Sequence, residues 1–307
     1  MRFTVYQESN IGNRKMNQDR MGYCFSRDAV LMVMADGMGG HLQGEIAAQI
    51  ALQTIASMFQ SEARPRLRSP HKFLQDSFYI AHKEILRYAS AHKLLETPRT
   101  TVVACVVQDD EAYWAHAGDS RLYWMRHGKL LGVTKDHSRV QNLIAQGMLR
   151  EADREKHPDR NKLVNCLGSP ADPMVEINKK SELMPGDVLF LCSDGLWAKV
   201  PEKVICAIFA SKTVMHAVPV LIALALQEAK NKSDNVTGLA MSFHGSTTGA
   251  KRTGVSTKTL PIGAFTTTIR APHFEDTEKG PLLSEREIEE AISEINGSLD
   301  KAGQSGR

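Results

Sequence analysis

Several large classes of protein leave a mark that this chain lacks. Its 307 residues include five cysteines, Cys24, Cys105, Cys166, Cys192 and Cys206, and no two form a Cys-x-x-Cys pair. That leaves no thiolate metal site and fits free buried thiols in a reducing compartment. Charge of either sign is not in excess: 38 Lys and Arg face 35 Asp and Glu, for a formal net charge of +3. Whole-molecule electrostatics therefore gives no reason to expect nucleic acid as a partner. The densest basic run, Arg64-Pro65-Arg66-Leu67-Arg68, has no interleaved aromatics and reads as a solvated loop. Long apolar runs are missing as well. Met1-Arg2-Phe3-Thr4-Val5-Tyr6 has no apolar signal-peptide core, and the nearest approach to a membrane span, 219–226, reads as a buried helix. The expectation is a cytoplasmic protein with no membrane partner.

What is present is a hydrophobic content of 42% and a charged content of 24%, ordinary for a soluble globular chain able to bury a large core. The organising stretch is Leu31-Met32-Val33-Met34-Ala35-Asp36-Gly37-Met38-Gly39-Gly40-His41. A continuous apolar run suits a strand covered on both faces, and it ends in a carboxylate followed by glycines that permit close approach. An Asp-Gly turn, a dinucleotide fingerprint and a metal site compete for it. The fingerprint is the weakest, because position 42 is not glycine and no acid stands at the ribose offset.

Along the chain, strands are expected at 3–6, 22–25 and 29–35, two helices at 43–60 and 70–92, and strands again at 101–107, 112–117 and 121–125. Asp109-Asp110 reads as a hairpin turn. His71, His82 and His92 lack ligand spacing and are expected to be solvated or capping. Residues 136–168 read as a polar helical flap with Val140, Leu143, Ile144 and Leu149 on one face. Strands at 175–177 and 188–192, helices at 201–210 and 216–230, and a last strand ending at Phe243 complete a domain at 1–243. Asp187 reads as a turn residue ahead of its strand. Beyond the domain, 244–283 is rich in Gly, Ser and Thr and reads as a linker. Residues 284–299 open with a capping box (Ser284, Glu287) and space Ile288, Ala291, Ile292, Ile295 and Leu299 helically. This amphipathic helix is expected to dock in cis or on a partner, with 300–307 as a disordered end.

Asp19, Asp36, Asp119, Asp194 and Asp234 each fall where a polar loop meets an expected strand. Gathering ionised carboxylates in a partly buried place is strongly unfavourable unless cations compensate them. Oxygen donors without imidazole or thiolate select magnesium or manganese, and a pair of such ions is a common solution for phosphoester hydrolysis.

Arg14-x-x-x-Gln18-Asp19, Ala35-Asp36-Gly37-Met38-Gly39-Gly40, Gly118-Asp119-Ser120-Arg121, Ser193-Asp194-Gly195 and Asp234-Asn235 resemble, in order and spacing, the motifs of metal-dependent serine/threonine protein phosphatases of the 2C type in their bacterial form. The resemblance covers 1–243. It implies an α+β fold, a four-layer αββα sandwich of two mostly antiparallel sheets flanked by helix pairs, with the flap. It implies a binuclear Mn2+ or Mg2+ centre in which Asp36 bridges both ions, the Gly37 carbonyl and Asp19 serve one side, and Asp194 and Asp234 the other. Asp119 matches the residue that holds a third, weaker ion, and Arg14 the arginine that grips substrate phosphate. The implied reaction is hydrolysis of phosphoserine and phosphothreonine on proteins by a bridging hydroxide, opposing a serine/threonine kinase; the alternative is a catalytically weak or inactive phosphoprotein-binding regulator of the same fold.

Two positions depart from the pattern. Many relatives carry Glu where Gln18 stands, so the hydrogen bonding that Gln18 and Asn235 offer around the metals is neutral here. Met38 replaces a histidine proposed as general acid in several eukaryotic members, which leaves a metal-bound water or His41 to protonate the leaving group.

Overall fold

The computed structural model describes residues 1–38 and 43–245. The linker expected at 244–283 from residue 246 on, the helix expected at 284–299, the end at 300–307, and His41 lie outside the described residues.

The strands are β1 (Phe3–Asn10), β2 (Asp19–Phe25), β3 (Ala29–Gly37), β4 (Thr100–Gln108), β5 (Glu111–Ala117), β6 (Arg121–Arg126), β7 (Lys129–Val133), β8 (Glu176–Ile177), β9 (Ser181–Glu182), β10 (Asp187–Cys192) and β11 (Val236–Phe243). One sheet runs β1-β11-β10-β6-β7. The other runs β2-β3-β4-β5-β8, with β9 pairing β5. The helices are α1 (Gly44–Glu62), α2 (Pro70–Ala91), α3 (Arg139–Ala145), α4 (Asp194–Trp197), α5 (Glu202–Ser211) and α6 (Val214–Ala229).

Strand alternation sorts the interior into three apolar layers. On β3, Leu31, Val33 and Ala35 face α1 and α2, packing with Ile55, Phe59 and Phe78. Val30, Met32 and Met34 face the opposite sheet and meet Leu189, Leu191, Leu239 and Met241. Phe190, Cys192 and Ala240, the alternate residues of β10 and β11, face outward onto α5 and α6. A strand buried on both faces needs apolar residues at every position, which is why β3 and β4 read as unbroken runs. The result is the αββα sandwich with all strand pairs antiparallel.

Local chemistry sets the element ends. Ser69 caps α2 by accepting from the Lys72 N–H at 3.4 Å, with Pro70 in the first turn. Asp109 and Asp110 both adopt positive φ, 53° and 59°, the conformation of a two-residue hairpin turn. The flap contains α3 and a 3₁₀ helix, Glu151–Lys156; of its expected apolar face only Val140 is buried.

Several expectations need correction. Strand β1 continues to Asn10 because Gln7, Glu8, Ser9 and Asn10 pair with 236–239 of β11, a long-range partner that local pattern does not reveal. Asp19 opens β2 instead of preceding it, and Asp187 opens β10. His82 is fully buried, not solvated: its Nδ1 accepts the Gly168 N–H at 3.1 Å and ties α2 to the end of the flap. His92 does cap α2, its Nδ1 lying 2.9 Å from the Tyr88 carbonyl.

Candidate active site

The two central sheets deliver the five acids to one rim. Asp19 and Asp36 are direct partners in the β2–β3 ladder, and Gly37 continues it, donating its N–H to the Gln18 carbonyl at 3.2 Å. Asp194 starts α4 where β10 ends, and Asp234 precedes β11, the neighbour of β10. Gly195 makes that approach feasible: a Cβ there would lie 2.0 Å from the Asn235 carbonyl oxygen and 3.3 Å from the Asp234 Cβ. Asp119, in the loop between β5 and β6, is 8% exposed.

The electrostatics of this rim are unbalanced. Burial, then the charges of Asp19, Asp194, Asp119 and Asp234, hold the Asp36 carboxyl well above the ordinary carboxylate range. Burial and the neighbouring Asp234 and Asp19 push Asp194 up to about 7. Asp119 is raised by burial, Asp194 and Asp136, with Arg121 opposing. Asp19 is raised mainly by burial, although its Oδ2 accepts hydroxyl bonds from Ser193 at 2.9 Å and Thr237 at 2.5 Å. Its Oδ1 is buried and has no hydrogen-bond partner among the described residues. An oxygen-only donor set with an orphaned buried oxygen and mutual repulsion is what a hard divalent cation satisfies, so the residues present fit a magnesium or manganese centre.

Arg14 lies on the loop between β1 and β2 and reaches Asp234 Oδ2 at 2.5 Å, with side chains 53% and 37% exposed. The Gln18 side chain donates to Glu45 in the first turn of α1 at 3.1 Å. Asn235 turns away from the acids toward backbone of the Arg14 loop.

Asp119 is anchored from behind. Its carbonyl accepts from Trp197 Nε1 at 2.9 Å, and the Arg121 guanidinium lies 3.6 Å over the Trp197 ring. Arg121 also forms a two-pronged pair with buried Asp136, which Arg154 of the flap joins at 2.9 Å. Neither Trp197 nor the hydroxyls of Ser193 and Thr237 stood out in the sequence as supports; nothing local marks a threonine in mid-strand as the partner of an aspartate 218 residues away.

A second group, His116, His137 and Glu176, brings potential ligand atoms within 4.8 Å of one another. Its hydrogen bonds assign it another role. Gly118 N–H and the Asn165 amide both donate to His137 Nδ1, at 3.3 and 2.6 Å. The Asn165 amide is oriented by Met174, whose N–H and carbonyl both bond to it. His137 therefore carries its hydrogen on Nε2, toward Glu176 Oε2 at 3.2 Å, and offers no lone pair to a metal. It is a strut under the Asp119 loop.

With this geometry in hand, residues 6–216 match the family model for protein phosphatase 2C. The chain belongs to the protein phosphatase 2C family. This phosphatase is 31% identical over 230 residues to the serine/threonine phosphatase Stp of Listeria innocua, across 74% of this chain and 90% of that one. It superposes on Stp1 of Staphylococcus aureus with a TM-score of 0.73 at 26% identity, covering 80% of this chain and 96% of the other. It likewise superposes on the catalytic domain of PstP in complex with two manganese ions, with a TM-score of 0.66 at 27% identity, covering 78% and 97%. The phosphatase is thus an enzyme of a metal-dependent family. Among its described residues no helix is long and apolar enough to cross a membrane.

Proposed function

We propose that the phosphatase hydrolyses phosphoserine and phosphothreonine esters on proteins, with two divalent ions, Mn2+ or Mg2+, held by Asp19, Asp36, Asp194, Asp234 and the Gly37 carbonyl, and a third beside Asp119. The observation that carries this is the unbalanced carboxylate rim: acids raised by burial and one another, with a buried Asp19 oxygen left unpaired. When bound, such ions supply the positive charge that offsets the carboxylates and makes a water acidic enough to attack phosphorus.

The chain's own residues have separable tasks. Asp36 pairs with Asp19 across the β2–β3 ladder and feels the charges of Asp194 and Asp234 from the end of the other sheet, which supports it as the carboxylate that would serve both ions. Ser193 and Thr237 fix the Asp19 rotamer so that Oδ1, not Oδ2, is the free oxygen. Arg14 binds the substrate phosphate. Its exposed pair with Asp234 is of the kind worth at most about 1 kcal/mol, so the guanidinium is released readily to a doubly charged phosphate, which it grips in a planar two-pronged contact. Met38 has no proton to donate. Buried Cys192, whose thiol burial pushes far up, is no nucleophile; because the attacking group is water, no covalent phosphoenzyme is expected.

The named activities of the Listeria and Mycobacterium relatives support serine/threonine phosphoproteins as substrates, products of a serine/threonine kinase. The five buried free cysteines favour a reducing cytoplasm. The test is hydrolysis of an aryl phosphate and of phosphoserine, phosphothreonine and phosphotyrosine peptides with Mn2+, before and after chelation. Loss of activity with EDTA, recovery on adding Mn2+ and preference for the first two peptides are expected. Chelator-resistant turnover would overturn the reading.

A further inference from the structure

Eight residues, 11–18, join β1 to β2 and carry Arg14 at their exposed crown. Within this loop the Arg14 N–H reaches the Ile11 carbonyl at a long 3.4 Å. Its ends are tied locally, by the Gly12 N–H to Asn10 Oδ1 at 2.9 Å, Asn17 Nδ2 to Ser9 Oγ at 2.8 Å and Arg20 Nη1 to the Asn17 carbonyl at 2.9 Å, and the contacts nearest Arg14 come from the segment ahead of β11. The Asn235 amide donates from Nδ2 to the Ile11 carbonyl at 2.9 Å and to the Met16 carbonyl at 3.0 Å, and its Oδ1 accepts the Gln18 N–H at 2.8 Å. One side chain thus ties the loop on both sides of Arg14. Asn13 adds a fourth and fifth tie to that segment, donating its N–H to the Ser233 carbonyl at 3.1 Å and accepting the Ser233 N–H on Oδ1 at 3.0 Å. Gly12, at φ 62°, lets the loop lie directly on this segment: a Cβ there would come within 2.1 Å of the Asp234 carbonyl oxygen.

Asn235 is 6% exposed, and its backbone N–H donates to Asp234 Oδ1 at 2.8 Å, the carboxylate that Arg14 meets through Oδ2. Its side chain, however, makes no hydrogen bond to an acid among the described residues; its three bonds go to the loop. An amide is the chemistry this requires, because it presents two donors and an acceptor from one planar end.

We propose that Asn235 is a positioning residue for Arg14: it presets the 11–18 loop so that the guanidinium stands where the substrate phosphate arrives. This rests on the phosphatase reading above and adds a division of labour to it, with Asp234 serving the metals and the next residue serving substrate binding. A loop ordered before binding loses little freedom when phosphate docks, whereas a loose one loses that freedom on every encounter.

The experiment is a double-mutant cycle on the full chain with Mn2+ and an aryl phosphate, using Asn235→Ala and Arg14→Ala; the asparagine change leaves the site's charge untouched. Expected for Asn235→Ala is a rise in KM, and in the inhibition constant of inorganic phosphate, on the order of 10- to 100-fold, the scale of a misplaced positioning group. Change in kcat should be small, and calorimetric Mn2+ binding should stay within about 3-fold, below the loss typical when a metal-supporting residue is removed. In the Arg14→Ala background the same change should move KM less than about 3-fold, because contacts acting through one residue do not add. Full additivity, or Mn2+ affinity falling in step with activity, overturns the proposal. If Asn235→Ala does not fold, Asn13→Ala enters the same cycle with a smaller rise in KM expected, and full additivity there overturns the proposal as well. Failure of the phosphatase reading looks different: no chelator-sensitive hydrolysis by the unaltered chain, and no effect of Arg14→Ala on KM.

Discussion

Two aspartates at opposite ends of the central sheets, Asp187 buried and Asp36 half-buried, show how the same side chain is used for structure and for chemistry. Asp187, at the start of β10, is 0% exposed. It accepts from Arg126 Nε at 2.7 Å and Nη2 at 2.9 Å, from Trp124 Nε1 at 3.0 Å and from the Met184 N–H at 3.1 Å. Burial alone would raise its carboxyl, but the hydrogen bonds from Arg126, Trp124 and Met184 outweigh it and hold Asp187 below the usual range. Asp36, near the end of β3 at the other end of the sandwich, has four acids for neighbours and is driven the opposite way. The fold supplies the counter-charge at Asp187 and withholds it at Asp36. Where it is withheld, the divalent cations proposed for this rim would supply it.

The comparison breaks most visibly at Asp36. Asp36→Asn should lower kcat/KM for aryl phosphate at least about 10³-fold, because several kcal/mol of transition-state stabilisation depend on the metals it holds. The same change should raise the melting temperature of the chelated protein by about 2 °C or more, the shift that roughly 1 kcal/mol produces in a domain of this size, since it removes a repelled charge. Calorimetry in EDTA checks the sign; a lower melting temperature would mean that Asp36 is a structural residue like Asp187.

At Asp187 the sign reverses. Asp187→Asn should leave activity intact and cost about 1.5–3 kcal/mol, the worth of hydrogen bonds to a charged group. Because the folded carboxyl titrates below its unfolded value near 3.9, its contribution is fully present above that pH and fades as pH falls through the lower folded value. Urea titrations of both proteins should diverge at pH 6 and converge toward pH 3. A constant gap would show that the charge on Asp187 is not what stabilises the fold.

How much of this was legible in the sequence follows from the range of the interactions involved. Asp36 and Asp194 were legible because each ends an apolar run beside a glycine, a local signal. Asp187 carried a turn signal, Pro185-Gly186, but nothing that named Arg126, 61 residues earlier, as its partner. The hydroxyls that orient Asp19, the burial of His82 and the loop-holding amide of Asn235 are all consequences of long-range contacts: the ends of β10 and β11 on β2, the flap end on α2, and the segment ahead of β11 on the 11–18 loop. Strand β7 escaped notice because Lys129–Val133 is short and half exposed, with little alternation to read.

The smallest expected effect isolates burial from pairing. Asp109 accepts from Arg66 Nη1 at 2.7 and 2.8 Å, contacts as short as those of Asp187, yet the two side chains are 56% and 49% exposed. Water competes for both ions, and holding two mobile side chains together costs conformational freedom, so such pairs contribute about 0–1 kcal/mol. Asp109 also adopts φ 53°, and asparagine tolerates that left-handed conformation as well as aspartate does, so Asp109→Asn removes the charge without straining the turn. The expected loss is less than about 0.5 kcal/mol, shrinking further in roughly 0.5 M salt as screening sets in. A loss comparable to that of Asp187→Asn would show that contact geometry alone sets the worth of these pairs. The expected contrast, from matching distances, assigns the difference to exclusion of water, the same condition that makes the uncompensated rim around Asp36 so demanding of a cation.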